Sequence, residues 1–305
     1  MGSAPFSLPA LEALLQSSHR LTGVITNPDE PSGRGLTVKS TPVAGVAKSH
    51  GIDLLTPDTL KNNPDVIAWI RARGPDAIVV VAYGKFIPSG ILHLPVHGCL
   101  NLHPSLLPRY RGAAPVQRAI MNAETETGVT IMRLDEGMDS GPVFMQEKIA
   151  IDITDDGPTL GESLARIGAG TLLKTLDRIE RQTIEPVPQN HGLATIAPKI
   201  RKEEGRLDFN RPAMALHNAV RALVAWPTAW TIYAGAMVQV LRTEPLPAAS
   251  AGQPGTVMGI DRSGIHTATS DGVLLIKSVK PSGGRAMDAL SYANGRRIKA
   301  GDRFG

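Results

Sequence analysis

The chain has 305 residues, long enough for two domains, and its single cysteine, Cys99, excludes an internal disulfide framework and a cysteine-rich zinc site, as suits a reducing cytosol. No run of about 18 apolar residues occurs, and the start, Met1 to Ser7, has neither a basic region nor an apolar core, so no membrane span or signal peptide is expected and a cytoplasmic location is. Residues 1–195 hold 17 Lys+Arg against 20 Asp+Glu while residues 196–305 hold 15 against 8, a basic rear third that fits a polyanionic partner, nucleic acid first, or a domain kept soluble by its charge.

In chain order, Ser7-Leu-Pro-Ala-Leu-Glu-Ala-Leu-Leu15 predicts a helix with Ser7 as N-cap and Pro9 in the first turn. Leu21 to Thr26 reads as a buried strand, and Asn27 to Gly35, rich in Pro and Gly, as a loop. Helices are expected over 42–49 and 65–73. Asp76-Ala-Ile-Val-Val-Val-Ala82 is short and apolar, as a parallel strand covered on both faces requires. There follow a strand over 98–103, a helix over 115–122, strands over 128–134 and 143–150, and a long helix over 159–180 with Leu160, Leu164, Ile167, Leu172, Leu176 and Ile179 on one stripe. Strands alternating with helices predict a doubly wound, mostly parallel, Rossmann-like α/β sheet over residues 1–181.

Residues 182–197, polar with two prolines, read as a linker. Beyond them a helix over 213–223 and five short β runs, at 230–233, 237–241, 255–258, 264–268 and 273–277, predict an OB-like β-barrel domain over 198–305.

Asn101 and His103 stand at i and i+2 where a strand runs out into Pro104, so their side chains share one face. An amide and an imidazole placed together are suited to hold the negative charge that develops when a carbonyl is attacked. Asp139, in Gly137-Met-Asp-Ser-Gly141, is the acid expected to set the imidazole tautomer and help move the proton. The same residues would equally cap a strand end and form a turn. No Gly-x-Ser-x-Gly, His-Glu-x-x-His or phosphate loop is present, Gly168-Ala-Gly170 lies inside a helix pattern, and the histidines show no ligand spacing, so no metal is implied.

Asn101-Leu-His-Pro-Ser-Leu-Leu-Pro-Arg-Tyr-Arg-Gly-Ala-Ala-Pro-Val-Gln-Arg118, Glu126-Thr-Gly-Val-Thr-Ile-Met132 and Leu134-Asp-Glu-Gly-Met-Asp-Ser-Gly141 together resemble the signature of the folate-dependent formyltransferases, in the branch acting on methionyl-tRNA. The resemblance runs on through Lys199 to Asp208, Arg221 to Trp230 and Ala268 to Val273. It implies formyl transfer from 10-formyltetrahydrofolate, as co-substrate, to the α-amino group of methionine on initiator tRNA, by a protein expected to be a monomer. It places catalysis on Asn101, His103 and Asp139, and folate contacts on Ser105, Leu106, Leu107 and Pro108, a stretch that would also form a rigid turn. A basic loop reading the unpaired end of the acceptor stem falls on Gly33-Arg34-Gly35, with Arg34 as the reader. The chemistry agrees, because an α-amino group with an ordinary pKa near 8 supplies its own nucleophile and the formyl group arrives already activated on nitrogen, with no need of ATP or metal.

Two other functions are weighed: formyl transfer to an amino sugar nucleotide, and tRNA binding with impaired catalysis. The second arises because members of the family open with a short apolar strand just before Gly2-Ser-Ala-Pro-Phe6, and here Met1 stands where that strand would end. The expectation is that the sequence begins at an internal Met, with the first strand of the sheet missing and backbone groups of its neighbours unpaired.

Overall fold

The computed structural model describes residues 1–32, 37–247 and 252–305. They form two compact units: Met1–Gly112 with Glu126–Ala150 and Gly161–Ala197, and Ala113–Thr125 with Ile151–Leu160 and Pro198–Gly305. The elements run α1 (Leu8–Gln16), β1 (Val24–Ile25), β2 (Glu30–Ser32), a strand within the stretch expected as a loop and antiparallel to β3 (Thr37–Lys39), α2 (Pro42–Ser49), β4 (Leu54–Leu55), α3 (Pro64–Arg73), β5 (Ile78–Val80), α4 (Ser89–Leu92) and β6 (Cys99–His103). Next come α5 (Pro115–Met121), β7 (Glu126–Arg133), β8 (Val143–Ala150) and α6 (Gly157–Glu180).

Helix starts follow capping chemistry. Thr41 Oγ1 accepts the Ala44 N–H at the head of α2, and Asn63 Oδ1 accepts that of Val66 at α3, which ends on Gly74 in the left-handed region. Reciprocal bonds between Asp156 and Thr159 open α6, two residues earlier than predicted. Ser7 departs from its predicted role. It ends a 3₁₀ turn over Pro5–Ser7 and makes no side-chain cap; its hydroxyl donates to the Val81 carbonyl at 2.6 Å.

The sheet of unit one is rich in parallel pairing without being uniformly parallel. β1 runs parallel to β4 (Val24 opposite Leu54), and β5 to β6 (Val80 opposite Asn101). β7 lies antiparallel to β6 (His103 opposite Thr130), and β8 antiparallel to β7. The segment between β7 and β8 has no helix to carry the chain back for a parallel crossover. Among the described residues the two sheets do not join between β1 and β5, where Gly2 forms an isolated bridge to Val81. The strands expected over 21–26 and 76–82 shrink accordingly to Val24–Ile25 and Ile78–Val80, since each lacks a neighbour along one edge.

Unit two is antiparallel. After α7 (Ala213–Leu223) come β9 (Trp230–Tyr233), β10 (Ala236–Leu246), β11 (Val257–Asp261), β12 (Gly264–Ala268), β13 (Val273–Pro281), β14 (Met287–Asp288) and α8 (Ala289–Arg296). The strand order is β11-β12-β13-β10-β9, with β14 beside β13. Among the described residues no pairing joins β11 to β9, and the closed barrel expected from the five short runs is not found there. β10 and β13 are longer than predicted and pair from Val238–Pro281 to Leu246–Val273, which spreads the sheet. Its core packs Leu216 and Val220 of α7 on Val240, Leu274 and Ile276. Arg221 holds the 151–155 turn, donating to the Asp152 and Asp155 carbonyls at 3.0 and 2.7 Å. Among the described residues no helix is long and apolar enough to cross a membrane.

Candidate active site

β6 organises the site. Leu102 points at α6, where Gly168 lacks a side chain; a Cβ there would lie 2.7 Å from Leu102 Cδ1. Gly168 is therefore a packing residue, as its helix pattern implied. Because side chains alternate along a strand, Asn101 and His103 turn together to the opposite face. His103 is 4% exposed and Asn101 half-buried.

The two imidazole nitrogens of His103 are held differently. Nε2 lies 2.9 Å from the Tyr110 carbonyl, which can only accept, so this contact places a proton on Nε2. The tautomer, expected to be set by Asp139, is thus set by the main chain. Nδ1 faces Asp139 Oδ2 at 3.6 Å, with the two side chains 5% and 17% exposed. That oxygen also accepts the Gly112 N–H at 2.8 Å, which anchors the carboxylate beside the ring. Both residues that grip the imidazole adopt left-handed backbone, Tyr110 at φ 60 and Asp139 at φ 48. Such conformations cost a non-glycine residue about 1 kcal/mol or more and persist only where surrounding bonds hold them.

Those bonds come from residues that sequence reasoning passed over. Gln189, 8% exposed, donates through Nε2 to the carbonyls of Asp139 (2.9 Å) and Gly141 (2.7 Å). Its Oε1 accepts from Nε and Nη2 of buried Arg111 at 3.2 and 2.6 Å. Thr195 accepts the Tyr110 N–H on its hydroxyl and the Arg111 N–H on its carbonyl. Segment 182–197, expected as a linker, so carries the bonds that hold both strained residues. Its signal was an Asn/Gln/Thr content that loops share, with no periodicity to mark burial.

The Ser105–Pro108 stretch is a braced turn with a cis Leu107–Pro108 bond. Ser105 Oγ donates to the Arg109 carbonyl at 2.6 Å, and Thr130 Oγ1 donates to the Ser105 carbonyl while accepting the Leu107 N–H. Gln146 adds a bond to the Leu107 carbonyl. The serine hydroxyl is thereby engaged, Leu107 is buried, and Leu106 and Pro108, half-buried, retain apolar surface that a flat heterocycle could use. Arg34 lies outside the described residues. His19, Asp177 and Glu180, distant in sequence, come together with ligand atoms within 4.8 Å of one another, a grouping no spacing rule could reveal.

Residues 1–176 match the family described as formyl transferase, and residues 199–297 its C-terminal domain. The methionyl-tRNA formyltransferase of Synechococcus sp. (strain JA-3-3Ab) is 41% identical over 312 residues, covering 99% of this chain and 96% of that protein. That of Thermus thermophilus is 43% identical over 304 residues, covering 100% and 97%. A solved sugar 3N-formyl transferase, studied with dTDP and 5-N-formyl-THF, superposes with a TM-score of 0.68 over 90% of this chain and 94% of that one; at 20% identity the likeness concerns the fold alone. The chain belongs to the formyl transferase family, and within it groups with the methionyl-tRNA formyltransferases.

Proposed function

We propose that this protein transfers a formyl group from 10-formyltetrahydrofolate to the α-amino group of methionyl-initiator tRNA, giving N-formylmethionyl-tRNA. The observation that carries the reading is the placement of Asn101 and His103 on one face of β6, with Asp139 against the second imidazole nitrogen at 3.6 Å. Full-length identity of about 40% to proteins named for that activity supports it, and favours it over the amino sugar nucleotide reading.

In this mechanism the amine nitrogen bonds to the formyl carbon, and the carbonyl electron pair moves onto oxygen. Asn101 donates to that oxygen, a contribution of about 10²–10³ in rate for one such donor. With Nε2–H engaged by the Tyr110 carbonyl, Nδ1 of His103 takes the proton released by the attacking nitrogen and returns it to the departing folate nitrogen. Asp139 stabilises the imidazolium formed in between. Leu106, Leu107 and Pro108 shape the folate contact, and Ser105 fixes their turn. Arg34 reads the unpaired acceptor end. The C-terminal unit, of the OB-like type, binds the tRNA backbone with its excess of 15 basic over 8 acidic residues, and this binding weakens with salt.

The test is formyl transfer measured side by side on charged initiator tRNA and on an amino sugar nucleotide. Turnover on the tRNA alone is expected. Turnover on the sugar, or tight tRNA binding without transfer, would reject the proposal.

A further inference from the structure

Apart from the site built on β6, one group of ligand atoms in unit one draws on two separate elements. Ser17 ends α1: its N–H and its hydroxyl both donate to the Leu14 carbonyl, the hydroxyl at 2.8 Å, while its Oγ accepts the His19 N–H at 3.2 Å. This fixture sets the backbone of His19 just beyond the helix, and the imidazole, 21% exposed, meets α6. There Asp177 and Glu180 stand at i and i+3, so they share one face of the last turn. His19 Nε2 lies 3.0 Å from Asp177 Oδ1, and one ligand atom from each of the three residues falls within 4.8 Å of the others.

The charge at this point is unbalanced. Among the described residues neither carboxylate has a Lys or Arg within ion-pair distance; Asp177 pairs with His19 alone, and the Glu180 side chain has no hydrogen-bond or ion-pair partner. Both acids also stand in the final turn of a 24-residue helix, where the aligned peptide dipoles end negative. An anion there is disfavoured, and a cation favoured, by about 0.3–1 kcal/mol. A doubly charged cation seated among the three side chains reverses the sign of each of these interactions.

We propose that His19, Asp177 and Glu180 form a binding site for a divalent cation of the Zn²⁺ class, a clamp that ties the segment after α1 to the end of α6. The donor set selects the ion. One imidazole nitrogen with two carboxylate oxygens suits a borderline cation, whereas Ca²⁺ and Mg²⁺ prefer shells of oxygen alone. Zn–N and Zn–O bonds of about 2.0–2.2 Å put neighbouring ligands of a tetrahedron about 3.3–3.6 Å apart. His19 and Asp177, at 3.0 Å, stand close to that spacing, and the exposed Glu180 completes it by rotating about its own side-chain bonds. Water takes the fourth position. On binding, the Nε2 proton that faces the Asp177 carboxylate passes to solvent, and the nitrogen lone pair bonds to the metal. The spacing rule that implies no metal looks along the chain, where 158 positions separate His19 from Asp177. None of the three residues belongs to the proposed catalytic site, so the clamp stands independently of that reading.

Calorimetric titration of the metal-free full chain with Zn²⁺ is expected to show one equivalent bound, and Co²⁺ in its place to show the visible absorption of a tetrahedral ion. His19→Ala and Glu180→Gln are each expected to weaken Zn²⁺ binding by about tenfold or more, at least what the loss of an outer-sphere partner costs. Glu180 is exposed and its side chain holds nothing in place, so its variant folds even if His19→Ala does not. His93→Ala, which removes an exposed imidazole elsewhere, leaves the binding unchanged. Failure to bind an equivalent of Zn²⁺ would overturn the proposal, as would an unchanged affinity in Glu180→Gln or in folded His19→Ala. Competition by Mg²⁺ or Ca²⁺ at equal concentration would show a diffuse acidic surface and overturn it equally.

Discussion

Replacing Asp139 by Asn isolates one interaction. The amide keeps the size of the carboxylate, its oxygen can still accept the Gly112 N–H now held at 2.8 Å, and Asn tolerates the φ of 48 at least as well as Asp. What is lost is negative charge 3.6 Å from His103 Nδ1. Two unit charges at that separation attract by about 1 kcal/mol in bulk water and about 5 kcal/mol at an effective dielectric constant near 20. Side-chain exposures of 5% and 17% put this pair nearer the second figure. In the proposed mechanism the imidazolium forms as the amine gives up its proton, so the loss would fall on the transition state and not on substrate binding. Asp139→Asn is therefore expected to lower kcat for formyl transfer to charged initiator tRNA by about 10²–10³, while KM for the tRNA and the thermal midpoint stay close to wild type. Steady-state kinetics with tRNA varied at saturating folate measure both quantities. A kcat within about threefold of wild type, or a loss appearing wholly in KM, would refute the reasoning.

Gln189→Ala removes two donors to the Asp139 and Gly141 carbonyls and strips buried Arg111 of its Oε1 acceptor; urea unfolding should show a loss of about 2–4 kcal/mol, and a loss below about 0.5 kcal/mol would contradict the bracing role. Gly168→Val forces a Cβ to within 2.7 Å of Leu102 Cδ1 and should cost about 1–3 kcal/mol, with part recovered when Leu102→Ala is added; simple additivity in that cycle would dissociate the two residues. The Met1 amino group has an ordinary pKa of 8.0 and one of about 6 when buried, so between those values the unfolded chain binds more protons than the folded one. Stability should thus rise with pH through the window from 6 to 8, by about 2 kcal/mol within it and about 3 kcal/mol between pH values well outside it. The Nα-acetylated protein lacks this increment, and equal pH profiles for the two forms would exclude it.

Asn101, His103 and Asp139, the proposed catalytic residues, illustrate how far linear spacing reaches. That Asn101 and His103 share a face follows from the two-residue period of a strand, which is local geometry. That Asp139 meets them requires β6 and β7 to pair; the chemistry asked for an acid and the resemblance pointed to the same residue, but no spacing rule brings it there. The Tyr110 carbonyl on Nε2 and the Gln189 bonds under Asp139 were beyond both, because a main-chain acceptor leaves no composition signal and a single buried amide in a polar stretch looks like any loop residue. Barrel closure in the rear domain lies beyond the sequence for a related reason. Short β runs specify strands, while closure depends on how far long strands such as β10 and β13 stay paired.

By itself the sequence determined the order of the main elements, though not β2, β3, β4, α4, β14 or α8, the buried runs of β5 and β6, and a basic rear third, and it pointed to acyl transfer by an amide beside an imidazole, since each depends on residue type and spacing within a few positions. Tertiary structure alone decided which nitrogen of His103 carries the fixed proton, that segment 182–197 braces the site, and that a cavity of about 700 Å³ lies between β1 and β5. Those outcomes arise from hydrogen bonds and cavities between residues far apart in the chain, whose positions exist only once the sheet has formed.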